Sequence, residues 1–297
     1  MNNMIGTCRL CGNERELLTS HIMPSFIFKR MKKTSATGHI RFSQNMNKRE
    51  QDGLKFPWFC FDCEQLFSKY EKYFSEKILQ PIHQQQKEIT YNNTLSKFAA
   101  SVAWRVLMYF IEINDIEHIN PKDREAAEKS WHDYLLNQNK HPDSHELHFY
   151  NLIGQIPADA DTPNNIFRYL SRATDLSVFK TQDASFVYIK SLNFLIIGYI
   201  RLPQSSRALR KSRICISRVQ ITQGLNELPE FIWKIIKERA RKSQNHQNAL
   251  SESEQLKIDK AYRTNLERAS KSETIKALTK DAQAFGVRSI FNNGEEE

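Results

Sequence analysis

The sequence predicts an α+β fold: a small zinc-bound N-terminal module, followed by a mainly helical domain with a small antiparallel sheet. Three observations carry this reading. Two Cys-x-x-Cys pairs, Cys8/Cys11 and Cys60/Cys63, bracket the first segment. An apolar run over 95–113 recurs with helical spacing (Phe98, Val102, Trp104, Val106, Leu107, Tyr109, Phe110). Beyond residue 173 the period changes, and runs over 185–190, 194–202 and 212–221 are rich in Val, Ile, Phe and Tyr, the composition of strands.

The cysteines come first because their spacing fixes a chemistry. Two residues between thiols let both sulfurs turn toward one ion, and two such knuckles complete a tetrahedral S4 shell. A closed S4 shell around Zn2+ leaves no open position, so this zinc holds structure and performs no reaction. Disulfides are the competing reading, but nothing in the chain marks a secreted protein. The fifth cysteine, Cys215, sits in an apolar alternating run and reads as a core thiol.

The chain has 297 residues, 40% hydrophobic, enough for one large or two smaller domains, and a formal net charge of +9. That excess suits a polyanionic partner, because phosphate neutralisation is the main source of nucleic-acid affinity; a merely soluble basic protein is the plainer reading. With no apolar N-terminal signal region and no apolar run of about 18 residues, the expectation is a cytoplasmic chain without membrane insertion. There is no Gly-rich phosphate loop and no Gly-x-Ser-x-Gly elbow, which removes the nucleotide-cradling and α/β-hydrolase classes.

Between the knuckles lies Ser20-His21-Ile22-Met23-Pro24, and Glu64 directly follows Cys63. With Cys8, Cys11, Cys60 and Cys63, these residues resemble the HNH, or His-Me finger, endonucleases of the treble-clef zinc type. The resemblance covers about the first quarter of the chain. It implies a treble clef with a ββα-metal site, in which His21 ends a hairpin strand and activates water. It implies Glu64 and the position of Ser20 as ligands of a catalytic Mg2+ or Mn2+, and DNA as substrate. The sequence departs from the family in two places: Ser20 stands where Asp or His is usual, and the Asn expected before the second knuckle is displaced, with Asn45, Asn47, Gln51 and Asp52 nearby. The layout, a short HNH module followed by a large partner domain, also resembles nucleases of bacterial anti-phage defence systems of the Zorya type, which implies other defence proteins as partners. A non-catalytic zinc module that binds nucleic acid or protein is the alternative.

The elements then follow in order. Residues 12–19 read as a turn and strand. Pro24 opens a helix over 25–33, where its missing N–H costs nothing. One side of that helix is apolar; the other offers Lys29 and Arg30 to a phosphate backbone or simply to water. Residues 39–43 alternate as a strand. The polar stretch 45–53 reads as a loop, with Lys48 and Arg49 available to phosphate, and 54–59 returns to the second knuckle. A helix over 64–80 buries Leu66, Phe67, Tyr70, Phe74 and Ile78, and its opposite face carries Glu64, Ser68 and Glu71. Glu64 has two readings: metal ligand, or a carboxylate that complements the helix N-terminus.

A composition shift at Gln84-Gln85-Gln86-Lys87 sets the boundary between a module over 1–83 and a domain over 84–250. In that domain the 95–113 helix is followed by an amphipathic helix over 121–136, a short helix over 164–173 and the three strands, read as a meander. The connection before the last strand carries Arg207, Arg210 and Lys211, a candidate phosphate clamp. A helix over 229–242, a polar linker over 243–253 and weakly packed polar helices over 254–285 complete the chain, before an acidic tail within the last part, 251–297.

Overall fold

In the computed structural model the described residues are 4–42, 45–155, 160–204, 209–215, 219–222 and 228–287. The chain is mixed α/β with small antiparallel sheets. Near the N-terminus, β1 (Met4–Thr7), β2 (Glu14–His21) and β5 (Lys55–Cys60) form a three-stranded antiparallel sheet with β2 in the middle. Helix α1 (Ser25–Lys33) follows β2 with the bounds the Pro24 signal predicts. A two-stranded ribbon, β3 (Ile40–Phe42) and β4 (Asn45–Glu50), then returns the chain to β5. The polar stretch expected as a loop is therefore largely strand. Its exposed faces leave no apolar period to read, and pairing with β3 decides its conformation.

Helix α2 (Phe61–Phe74) starts directly on the second knuckle and runs through a π-helical turn, Ser75–Leu79, into α3 (Gln80–His83). Strand β6 (Glu88–Tyr91) pairs with β11 (Val219–Thr222), a link the sequence reading lacked. Helix α4 (Asn93–Glu112) then crosses the centre of the molecule, with every residue from Leu95 to Leu107 buried. Asn92 caps it by accepting from the Thr94 N–H. Helix α5 (Pro121–Leu135) packs alongside and is capped by Asn120.

The principal sheet has four antiparallel strands in the order β7-β10-β9-β8: β7 (Leu147–Asn151), β8 (Thr174–Lys180), β9 (Ser185–Ser191) and β10 (Phe194–Arg201). The expected three-stranded meander thus holds for β9 and β10 only. The third run, 212–221, is not one strand: Arg213 makes an isolated bridge to His148, and β11 belongs to the β6 pair. Strands β7 and β8 were not anticipated, because both lie among polar residues. Both faces of β9 and β10 are buried. Val187, Ile189, Phe194 and Ile196 face α4 and the N-terminal module, while Phe186, Tyr188, Leu195 and Ile197 face α6 (Ile166–Arg172) and α7 (Glu230–Asn248). Successive side chains on a strand point to opposite faces, so a strand covered on both sides reads as a continuous apolar run.

One apolar core joins the two ends of the proposed boundary: Cys8, Phe59, Phe67 and Phe74 belong to the same cluster as Phe98, Trp104 and Phe194. Phe74 stacks on Phe98 at 4.0 Å between centroids and meets Phe194 edge-on at 5.0 Å.

The C-terminal part departs most from expectation. Helix α7 continues to Asn248 through most of the anticipated linker, and three helices follow: α8 (Glu252–Thr264), α9 (Leu266–Lys271) and α10 (Glu273–Phe285). They carry few buried large apolar residues, and polar groups pin them. Asp281 is fully buried, accepts from the Phe167 backbone N–H at 2.8 Å, and pairs with Arg168 Nε at 2.8 Å. Arg268 donates to the Ser35 and Lys32 carbonyls, and Glu254 meets Arg41 at 2.8 Å. A carboxylate in a core leaves no apolar signature in a sequence, so these contacts were not foreseeable from hydrophobicity. Asp281→Ala should strip Arg168 of its counter-charge and lower stability by about 3–5 kcal/mol, read as the denaturant midpoint. An unchanged midpoint would mean that α10 docks by other means.

Candidate metal centre and histidine site

The two knuckles come together as their spacing requires. The Sγ atoms of Cys8, Cys11, Cys60 and Cys63 all lie within 4.8 Å of one another, and all are free thiols. Cys11 and Cys60 are 3.8 Å apart, the edge of a tetrahedron built from Zn–S bonds of about 2.3 Å. The donor set therefore fits a zinc ion. Local sequence builds it. Gly12 takes φ +72°, a conformation that suits glycine, and its N–H donates to the Cys8 carbonyl at 2.9 Å to close the first turn. Burial opposes ionisation of Cys8, but backbone N–H groups of Cys11, Cys60 and Leu10 outweigh it and lower its pKa to about 7, favouring thiolate. Burial, and then the neighbouring thiols, push Cys63 up. A cation at the centre would relieve that repulsion. Two helices brace the first knuckle: His132 Nε2 of α5 donates to the Leu10 carbonyl at 2.8 Å, and Arg9, stacked on Trp58, pairs with Glu112 of α4.

His21 ends β2, opposite Lys55 on β5. Its ring is mostly buried, with a side-chain exposure of 21%, and lies over Phe28 of α1 at 6.5 Å. Nε2 is 2.9 Å from Asp52 Oδ1. An ionised carboxylate only accepts, so Nε2 carries a proton, and in the neutral form of the ring the lone pair is then on Nδ1. Asp52 itself is fixed by Lys55 at 2.6 Å and by the Gly53 N–H at 2.9 Å. Gly53 is required by packing: a Cβ there would lie 2.1 Å from Phe28. Of the residues near the displaced Asn, the structure thus brings Asp52 to the histidine, while Gln51 turns to His39 at 3.0 Å.

Burial alone would raise the Asp52 pKa, but Lys55, His21 and the Gly53 N–H lower it from the usual 3.8 to about 2. A depressed carboxyl pKa stabilises the folded state above its unfolded value, and the contribution disappears as pH falls through the folded value. We expect acid unfolding to acquire a component between pH 3.8 and 2, small because Asp52 is 39% exposed. Asp52→Asn should remove that component from a pH titration of Tm; a superimposable titration would refute the pairing.

Helix α2 contributes two carboxylates, Glu64 and Glu71. Glu64 has a buried Oε1 with no hydrogen-bond partner. Glu71 pairs with the buried Arg105 of α4 at 3.0 Å. Burial pushes the Glu71 carboxyl up, Arg105 opposes this, Glu64 adds to the rise and His21 opposes it, so each of these groups lies within electrostatic reach of Glu71. Arg105 Nη1 also donates to the His21 carbonyl at 3.0 Å. Ser20 is buried and its hydroxyl donates to the Leu18 carbonyl at 3.1 Å. Among the described residues no second set of three His, Cys, Asp or Glu ligand atoms comes as close together as the four thiols.

The basic residues named from sequence differ in exposure and in pairing. Lys29, Lys48, Arg49, Arg210 and Lys211 are exposed, with Lys48 paired to Glu50 at 2.6 Å and Arg49 to Glu254 at 3.6 Å. Arg30 is half-buried, and burial lowers its pKa. Arg207 lies outside the described residues. His83, at the end of α3, is half-buried; burial, Arg30 and Arg172 hold its pKa down at about 4. No helix among the described residues is long and apolar enough to cross a membrane.

Asp52 and Arg105 are the residues that sequence reasoning did not assign a role beside His21. Asp52 was one of four equivalent polar neighbours. Arg105 was visible as a charge interrupting an apolar helix, which is itself a signal: a buried cation needs a partner. Comparison with protein-family models, with curated proteins and with solved structures finds no match to this chain.

Proposed function

We propose that this protein is a metal-dependent DNA endonuclease of the HNH type, built on a zinc-bound treble clef. The observation that carries the reading is the order β2–β5–α2 with His21 at the end of the first strand, the second knuckle at the strand–helix junction, and Glu64 one residue beyond it. Nε2 of His21 is held by Asp52, which leaves Nδ1 to take a proton from water. The unpartnered Oε1 of Glu64 suits a divalent cation, whereas the Ser20 proton is already committed to the Leu18 carbonyl. Mg2+ or Mn2+ bound there supplies charge stabilisation at the phosphate and at the leaving oxygen. The chain's own residues orient the base and neutralise DNA phosphates, the latter from Lys29, Lys48, Arg49, Arg210 and Lys211.

Supercoiled plasmid tests the reading: cleavage should require Mg2+ or Mn2+ and should be lost with His21. Plasmid cut equally well without His21 would leave the zinc module as a binding platform. A role in anti-phage defence follows from the family resemblance and is tested by plating phage on cells carrying the wild type or His21→Ala, which should differ in plaque number.

A further inference from the structure

We propose that Arg105, on the central helix α4 and outside the zinc module, is a positioning residue for His21. The inference rests on the reading of His21 as the base, and it gives the second part of the chain a role in that site.

Arg105 is only 2% exposed, on a helix whose surrounding residues are apolar. An isolated guanidinium there would be strongly unfavourable, so its position is set by its partners. Its Nε donates to the Ser101 carbonyl one turn earlier at 3.1 Å, which directs the side chain along α4. The planar end then reaches out of α4 in two directions. Nη1 donates to the His21 carbonyl at 3.0 Å, and Nη2 lies 3.0 Å from Glu71 Oε1 of α2 as an ion pair without hydrogen-bond geometry. The Phe67 ring lies under the guanidinium at 5.1 Å.

The His21 carbonyl is at the last residue of β2, where the ladder with β5 ends. Asp52 restrains the imidazole at Nε2, and Arg105 restrains the same residue at its backbone. Together they hold His21 at its ring and at its backbone and so aim Nδ1. Arg105 also holds Glu71 beside His21 as a charge-compensated neighbour. A lysine presents a single point charge and cannot place separate nitrogens at the carbonyl and at the carboxylate; a glutamine or methionine supplies packing without the fork. An activity that depends on where Nδ1 points should therefore track the fork.

The experiment uses the full zinc-loaded chain and supercoiled plasmid with Mn2+, comparing Arg105→Lys, Arg105→Gln, Arg105→Met and His21→Ala. Variants with one zinc per chain and a cooperative thermal transition are scored. The expected result is a fall in kcat of tenfold or more for Gln and Met, an intermediate loss for Lys, and KM within twofold of wild type. Nitrogen-15 NMR of the His21 ring should show a displaced signal in each. That measurement stands even where activity is too low to score, and Lys is the conservative variant if the others fail to fold. Folded Gln and Lys variants with wild-type kcat and an undisplaced His21 signal, alongside an inactive His21→Ala, would overturn the role of Arg105 alone. Wild-type cleavage by His21→Ala would instead overturn the nuclease reading and this inference with it.

Discussion

His21→Ala should cut supercoiled plasmid at least about a hundredfold more slowly than wild type, the ordinary consequence of removing a positioned general base. DNA affinity, zinc content and Tm should stay close to wild type, because the His21 ring is at the edge of the core and its backbone contact to Arg105 survives the substitution. Glu64→Ala should also lose activity, with partial recovery at higher Mn2+ if its carboxylate is a ligand, since mass action can refill a weakened site. Measuring initial rates across a metal titration separates the two variants: His21→Ala should not recover at any concentration. Full activity in His21→Ala would place the chemistry elsewhere or nowhere in this module.

Cys60→Ser should have the largest effect on the fold. Structural zinc in small modules contributes an apparent ~10–16 kcal/mol at neutral pH, so breaking the S4 shell removes much of what holds β2, β5 and α2 together. The loss should not stop at the module. Cys8, Phe59 and Phe67 share a core with Phe98 and Trp104, and the first knuckle is braced by His132 and by Glu112. We expect elemental analysis to find about one zinc per chain in wild type, as a tetrahedral S4 site holds, and none in Cys60→Ser. Calorimetry should show the main unfolding transition lowered or lost. A metal-free wild type with an unchanged transition would refute the zinc assignment, and an independent second transition surviving intact would show that the helical part folds without the knuckles.

Much of the frame was legible in the residues. The Cys-x-x-Cys spacing determined the S4 cluster, because two residues between thiols leave few ways to orient them. Pro24 fixed the start of α1, and the apolar run placed α4 to within two residues at its start. The runs 185–190 and 194–202 became β9 and β10, which needed nothing but their own β-branched and aromatic content. These are local signals, carried by stereochemistry and by side-chain periodicity.

What tertiary structure alone decided was polar and long-range. Strand β4 is hydrophilic and is a strand because β3 lies beside it. Strand β11 lies outside the four-stranded sheet because β6, more than 120 residues earlier, is its partner. Helices α8 to α10 dock through Asp281, Arg268 and Glu254, whose partners lie from 113 to 236 residues away in sequence. The histidine site follows the same division. His21 and Glu64 stand out in the sequence by their places beside the knuckles, whereas Asp52 and Arg105 reach His21 only through folding. The physical reason is that apolar periodicity reports which face of an element is buried. A hydrogen bond or ion pair depends on where the partner group ends up, and that is known only once the chain is packed.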